Sequence, residues 1–522
     1  MDENNAFGTS EPSIETQAPL LSADTLSRRN LWSFALGTVG RDMAYSMFNS
    51  FILTYILFTK SLTAPQFGAV SAIIIACRVF DALNDPIMGT IVENTRSRFG
   101  KFKPWILIGA ITCAVVVFAT FSVPVTGWTF VVFLGFIYFL FSITYTMNDI
   151  SYYSMLPALA KGQHDRNKLT SLTNLCGSAG GAAIGFLVPT LTAGDLTLFG
   201  SAPKAYMTVA LFAALMFIAF QVLTVVGVKE KAAPVQSMTS AKLTLKDMVK
   251  IIKNNDQLLW IALISLIYNV GSNVFVTLPT TYIYFEFGYN GLLTTFFGIF
   301  SAVVSTSVTI FFPLLAKRFS RKKMMASAII GVIIGYSLIL LFGLVLPQPA
   351  ATAGTFSLKF VMLMIANVFN GYGQCILYLS MTLALVNTIE YNEWKTGSRN
   401  ESVIFSIRPF MAKLGSALSQ LVITLVLLIV GVTVYTNKIS DIETDASKNL
   451  ITGTVKTEKI SEVIAGVPDG VKIGLLICMT LIPLILLASA YTIYRTKYKI
   501  DEKKFDEMVA EIKAREAAKD SD

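Results

Sequence analysis

The stretch AVSAIIIACRVFDALNDPIMG, Ala69 to Gly89, sets four polar groups in surroundings that read as lipid. A mostly apolar run leads into Arg78, Asp81, Asn84 and Asp85, and a second resumes at Trp105-Ile-Leu-Ile-Gly-Ala-Ile. Arg78, Asp81 and Asp85 stand three and four apart, so a helix stacks them on one face with Asn84 beside them. Charges within a bilayer are costly, and such residues usually face a bundle interior or a water-filled path. Two carboxylates and an amide on one face offer hard oxygen ligands, which suit a small hard cation and equally a shared proton. A purely structural pairing of Arg78 with one aspartate would leave the other unneutralised. Pro86 is expected to kink the helix and free backbone carbonyls at that level.

The rest of the chain supports a membrane setting. Its 522 residues are 54% hydrophobic and only 14% charged, with a mean hydropathy of +0.61; soluble domains carry about 25% charge. Apolar stretches close to the roughly 20 residues that cross a bilayer begin near Trp32, Gln66, Pro104, Trp128, Leu169, Ala205, Leu258, Leu292, Met324, Leu358, Val403 and Val471. The longest polar interruption among the first eleven, Lys229 to Gln257, divides them six and six. The expected fold is an all-α membrane protein of twelve transmembrane helices in two six-helix bundles, the major facilitator arrangement. Its parts are a tail (1–30), a bundle (31–228), a loop (229–257), a second bundle (258–495) and a second tail (496–522). The alternating pattern of a membrane β-barrel is absent.

Lys and Arg set the orientation. One side carries Arg28, Arg29, Arg96, Arg98, Lys101, Lys103, the run Lys317-Arg318 with Arg321-Lys322-Lys323, and Arg495, Lys497 and Lys499. The other has Lys60, Lys204 and Lys359 in short loops, and an acidic stretch from Tyr435 to Gly470 that reads as a loop. Both termini are therefore expected to be cytoplasmic. The first 27 residues lack the basic start and apolar core of a signal peptide. The segment after Arg495 reads as a solvated helix or disorder. Basic loops at matching places, ENTRSRFGKFK and AKRFSRKK, hint at two related halves.

Several function classes fall away. The net charge of +9 resides in short loops, so nucleic-acid binding is not expected. Cys77, Cys113, Cys176, Cys375 and Cys478 are widely spaced in apolar segments and form no CxxC pattern. The one histidine, His164, lies in the polar stretch KGQHDRN, and no phosphate-binding GxxxxGK[ST] loop occurs. No catalytic constellation appears, so neither an enzyme nor a cofactor is expected.

Further charges fall inside apolar segments: Arg41-Asp42 in the first, Asp149 in the fourth, Arg408 and Lys413 in the eleventh. Around Asp149 the sequence YTMNDISYYSM brings Tyr145 and Tyr153 to helical spacing from the carboxylate. Carboxylates that accept from vicinal hydroxyls, beside an aromatic face, make a sugar site. Tyr152 reads equally well as packing.

The segment DALNDPIMGTIVENTRSRFGKFKPW resembles the signature of the glycoside–pentoside–hexuronide:cation symporters, the branch of the major facilitator superfamily that holds the melibiose and lactose permeases. GRDMAYSMF, YTMNDISYYSMLPAL, NDQLLW and EYNEWKTGSRNESVIFSIRPFMAKLGSA extend the likeness from about Ser27 to Arg495, and the last block is most similar to Gram-positive lactose and raffinose permeases. The resemblance implies a cation site at Asp81, Asn84 and Asp85 with Thr146. It implies sugar contacts at Asp42 and Asp149 with Arg41, Tyr145, Tyr153, Asn174, Tyr378 and Lys413, and coupling or gating roles for Arg78, Glu390, Glu401 and Arg408. Four positions depart from the family pattern: tyrosines at Tyr153 and Tyr378 replace tryptophans, Asn174 an arginine and Ser398 a histidine. Each concerns sugar recognition. The expected function is import of a glycoside or oligosaccharide, galactoside-like or pentoside, with Na⁺ or H⁺ by a monomer in the cell membrane. Sugar exchange, a non-transporting sugar sensor and a proton-coupled drug exporter are the alternatives.

Overall fold

A computed structural model describes residues 26–160, 163–194, 196–228, 254–347, 356–397 and 401–519. The N-terminal tail to residue 25, most of the central loop (229–253), Ser398 and the side chain of His164 lie outside the described residues. Helices α1 to α6 are Arg28–Thr59, Ala64–Asn94, Lys103–Ser122, Gly127–Leu159, Gln163–Thr192 and Ala202–Gly227. Next come α7 (Asp256–Phe287), α8 (Gly291–Arg318), α9 (Arg321–Val345), α10 (Leu358–Thr396) and α11 (Glu401–Ile429). The chain closes with α12 (Val432–Ser447), α13 (Gly453–Ala465), α14 (Asp469–Lys497) and α15 (Glu502–Lys519).

Among the described residues, 11 helices are long and apolar enough to cross a membrane: α2 to α11 and α14. Helix α1, 32 residues long but interrupted by Arg41 and Asp42, is not in that set and packs lengthwise on α5 and α6. Local chemistry sets the starts. Thr63 and Gln66 form a capping box at α2, with Pro65 in the first turn. Ser27, Asn255 and Ser357 accept from the first backbone amides of α1, α7 and α10. Helix α10 stops at Gly397, whose φ of 70° suits a residue without Cβ. Helix α2 runs on past Pro86 to Asn94.

Close helix contacts rest on small residues, as expected where no water is present to drive association. A Cβ at Gly37 would meet Thr224 Oγ1 at 2.1 Å, and one at Gly180 would meet the Val39 carbonyl at 2.2 Å. The α3–α4 and α9–α10 pairs use one device: a Cβ at Gly109 would lie 2.7 Å from the Asn148 backbone nitrogen, and one at Gly335 would lie 2.5 Å from that of Asn370.

Among the described residues, two of the seams between the helices before and after the central loop run through apolar helices. At one, Thr424 Oγ1 donates to Ser71 Oγ (2.7 Å) and Arg78 Nη1 to the Ser416 carbonyl (2.6 Å), joining α2 to α11. At the other, the Thr190 and Thr295 hydroxyls are 2.9 Å apart and Gly291 N donates to the Ala193 carbonyl, joining α5 to α8.

Two segments are more ordered than their polarity suggests. Residues 435–470, expected as a loop, form most of α12, all of α13 and the start of α14. Their buried positions Val432, Thr436, Ile439, Glu443 and Ala446 recur every three or four residues, but with too little apolar character to announce a helix. Beyond Arg495 the chain turns into α15, and this helix is docked rather than solvated. Ile500 and Met508 are buried, Trp394 Nε1 donates to Glu511 Oε2 (2.7 Å), and Arg515 donates to the Trp394 carbonyl (2.9 Å).

Candidate functional site

A cavity of about 480 Å³ opens between α1, α4 and α5, within the roughly 300–1,000 Å³ usual for small-molecule sites. Helix α1 contributes Arg41, Asp42, Tyr45 and Ser46; α4 contributes Tyr145, Asp149 and Tyr153; α5 contributes Thr173, Asn174, Gly177, Ser178 and Gly181. The α4 residues are spaced by four and the α5 residues by three and four, so each helix presents one face.

Arg41 organises the cavity. It is 3% exposed, and its Nε and Nη2 both donate to Asp42 Oδ1, at 2.8 and 2.7 Å. Nη2 also donates to the Tyr153 hydroxyl (2.9 Å), and the guanidinium lies 4.6 Å from the centre of that ring. Nη1 stands 3.1 Å from Asp149 Oδ1, off the line of a hydrogen bond, and is left without a hydrogen-bond partner. One guanidinium thus faces two carboxylates, and the excess negative charge leaves acceptor oxygens for hydroxyl donors. Gly177 makes this possible, since a Cβ there would stand 2.2 Å from Asp42 Oδ2.

Aromatic rings line the same space. Tyr45 leans on Tyr145 with ring centroids 5.0 Å apart, and Tyr145 stacks on Phe141. Tyr152 faces elsewhere: it is buried against Phe34, and its hydroxyl donates to the Phe34 carbonyl.

The second cluster gathers where α2, α4 and α11 meet. Lys413 forms an ion pair with Asp85 and reaches the Asp81 carbonyl at 3.3 Å. Ser142 donates to Asp81, and Thr146 Oγ1 lies 3.5 Å from Asp85 Oδ1. Asn84 is buried, and its Nδ2 meets no partner among the described residues. Arg78 donates to the Tyr138 hydroxyl (3.4 Å) and the Ser416 carbonyl rather than to either aspartate. Helix α4 joins the two clusters: Thr146 reaches Asp85, while its neighbour Tyr145 lines the cavity.

Not every expected residue converges here. Lys413 stands with Asp81 and Asp85 rather than in the cavity wall. Tyr378 and Arg408 form their own pair, the guanidinium bonded to the phenol and 5.3 Å from its ring centre. Glu390 is half-buried near the end of α10, and Glu401 is the exposed first residue of α11. Sequence reasoning passed over Tyr45, Ser46, Thr173, Ser178 and Gly177. Their spacing from Arg41 and Asn174 on α1 and α5 was the available signal.

The sequence profile of the family described as "MFS/sugar transport protein" matches residues 33–502. The lactose permease of Lactobacillus delbrueckii subsp. bulgaricus is 28% identical over 431 residues, covering 77% of this chain and 63% of the relative's length. The raffinose carrier protein of Pediococcus pentosaceus is 26% identical, covering 77% and 62%. The chain therefore spans less than two thirds of these relatives. Among solved structures, a bacterial homologue of the human lysosomal transporter Spinster, inward-facing and unoccupied, superposes with a TM-score of 0.59 at 12% identity, covering 90% of this chain and 97% of that one. At that identity the likeness establishes the fold alone. With nine-tenths of its length matched, the chain belongs to the MFS/sugar transport protein family, a family of transporters rather than enzymes.

Proposed function

We propose that the chain is a sugar:cation symporter of the cell membrane, importing a glycoside or oligosaccharide with Na⁺ or H⁺ by alternating access. The observation that carries this reading is the position of Lys413, whose ammonium from α11 stands on the Asp85 carboxylate of α2 beside the α1–α4–α5 cavity. A protein cation already holds the place that a coupling ion would take. In the proposed cycle, Na⁺ bound by Asp81, Asp85, the Thr146 hydroxyl and the Asn84 carbonyl oxygen, or a proton on Asp85, displaces the ammonium. Release of Lys413 loosens one link between α2 and α11.

The sugar takes the cavity. Its vicinal hydroxyls donate to Asp42 and Asp149, Arg41 Nη1 donates to a ring or hydroxyl oxygen, and Tyr45 or Tyr153 offers a flat face to the ring. Cation and sugar share α4 through Thr146 and Tyr145, so each raises the other's affinity by the same factor. An inward cation gradient drives the cycle, and one charge crossing 100 mV contributes about 2.3 kcal/mol.

The reading takes α1 as a twelfth span, residues 31–228 and 258–495 as the two moving bundles, and one chain as the working unit. It sets the α1–α2 turn outside and both termini in the cytoplasm.

The test is uptake of radiolabelled melibiose, lactose, raffinose and xylosides into vesicles under Na⁺ or pH gradients, for the wild type and Asp85→Asn. Accumulation that follows one gradient and vanishes in Asp85→Asn, with sugar exchange retained, is the expected result and names the ion. Accumulation that survives in Asp85→Asn refutes the cation site. Binding without uptake under either gradient refutes symport.

A further inference from the structure

We infer that the α12–α13 hairpin is a clasp across the outer seam, with Asn437 and Glu443 as positioning residues that hold the outer face shut. The inference rests on the orientation and alternating-access reading above. The hairpin belongs by sequence to the second half, between α11 and α14, yet its first helix packs mainly on α1 and also on α6 of the first half. Asn437 pairs with the backbone of Leu62 in the α1–α2 turn: its Nδ2 donates to the Leu62 carbonyl (2.8 Å), and its Oδ1 accepts from Leu62 N (3.2 Å). Lys204 of α6 donates to Asn449 Oδ1 at 2.9 Å.

Glu443 makes the deepest of these links. Its side chain is 0% exposed, pairs with Lys456 of α13 at 3.3 Å, and accepts from Ala202 N at 2.7 Å. Ala202 is the first residue of α6, whose own N-cap, Ser201, makes no side-chain cap bond and has a buried Oγ without a partner. A carboxylate from the other half thus caps α6, at the helix end where unpaired amides and the helix dipole favour a negative charge.

The outer end of the seam beneath is tightly closed. A Cβ at Gly291 would sit 1.6 Å from the Pro189 carbonyl, and Phe58 of α1 packs edge-on against Tyr284 of α7. For sugar to enter from outside, α1 and α6 must part from α7 and α8. The hairpin bridges that line, so parting removes the α6 cap and strips the Asn437 side chain of both backbone bonds. The clasp therefore favours the outward-closed state, and its release is one component of outward opening. Gly431, with φ of 79°, and the Gly466–Pro468 turn are the joints on which the hairpin can swing.

The test uses Thr295→Cys at the α5–α8 seam as a reporter, labelled with a membrane-impermeant maleimide in right-side-out vesicles. Adding Asn437→Ala or Glu443→Gln is expected to speed labelling by about tenfold, the effect of shifting a two-state balance by about 1.4 kcal/mol. Asn437→Ala leaves the buried ion pair intact, so it reports on the clasp even if Glu443→Gln folds poorly, and retained sugar exchange shows that the bundles are assembled. Labelling within twofold of the parent in Asn437→Ala, with exchange intact, overturns the proposal. Acceleration seen only when reagent is supplied from the opposite face leaves the clasp standing and overturns the orientation instead.

Discussion

Helices α3 and α4 meet through Gly109 and Asn148, and α9 and α10 meet through Gly335 and Asn370, so the two halves repeat one joint. The next residue differs. After Asn148 comes Asp149, which faces Arg41 across the cavity; after Asn370 comes Gly371, which packs near Val304. Beyond this point the second half builds a neutral network. Gln374 Nε2 donates to the Tyr336 hydroxyl and Asn370 Oδ1, its Oε1 accepts from Ser272, and Asn367 donates to Ser301. The lesson is a division of labour: a shared packing joint supports charge in one half and a self-satisfied amide network in the other. Neutral groups bonded to one another ask nothing of a ligand, whereas one guanidinium between two carboxylates leaves oxygens to be satisfied.

The strongest way to break this comparison is to neutralise one side of it. Asp149→Asn is expected to lower initial sugar uptake by about a hundredfold, since a hydrogen bond to a charged group contributes roughly 1.5–3 kcal/mol. Gln374→Ala loses three neutral bonds, but all go to protein groups and none to sugar, so its cost falls on folding stability and uptake per folded molecule should stay within about fivefold. Equal losses in the two variants would mean that the second half binds sugar as heavily as the first.

The shared joint is sharpened by a matched pair. Gly109→Ala and Gly335→Ala each force a methyl group against a partner backbone, and overpacking of this kind costs about 2 kcal/mol. Thermal unfolding of purified protein should report similar losses for both. A large loss in one alone would show the joints to be unlike in strength.

A smaller effect concerns the end of the first half where α1 finishes. Lys60, just past the end of α1, is buried against the α3–α4 turn and donates to the Val125 carbonyl at 3.0 Å. Burial lowers its pKa from 10.5 to about 8. Between those values the unfolded chain holds more protons than the folded one, so stability rises with pH across that window. From pH 7.5 to 9.5 the gain attributable to Lys60 is about 2 kcal/mol at most, at 1.36 kcal/mol per unit. Inactivation temperatures should show it in the wild type and not in Lys60→Met.

Much of the fold was legible because bilayer crossing imposes a length and an apolarity that a chain cannot conceal. The twelve anticipated starts fall within about six residues of observed helix starts, and the capping residues Thr63, Asn255 and Ser357 explain where α2, α7 and α10 begin. The α12–α13 hairpin was not legible. It lies outside the apolar spans, its buried face is half polar, and its helical order comes with docking on α1 and α6. The same holds for α15, whose buried Met508 has meaning only beside α10.

The sequence by itself determined that this is a polytopic helical membrane protein with costly charges at particular depths, and that Asp81 and Asp85 share a helix face. Those conclusions follow from local periodicity and from the price of burying charge, which need no partner to be evaluated. Only the tertiary structure decided which charges meet. Arg41 bonds its own neighbour Asp42 and faces Asp149 from α4; Lys413 crosses 328 positions of chain to reach Asp85; Arg78 passes over both nearby aspartates for the Ser416 carbonyl. Pairing across helices depends on how the helices cross and rotate, and that is set by the glycines at Gly37, Gly109, Gly180 and Gly335 acting together rather than by any one segment.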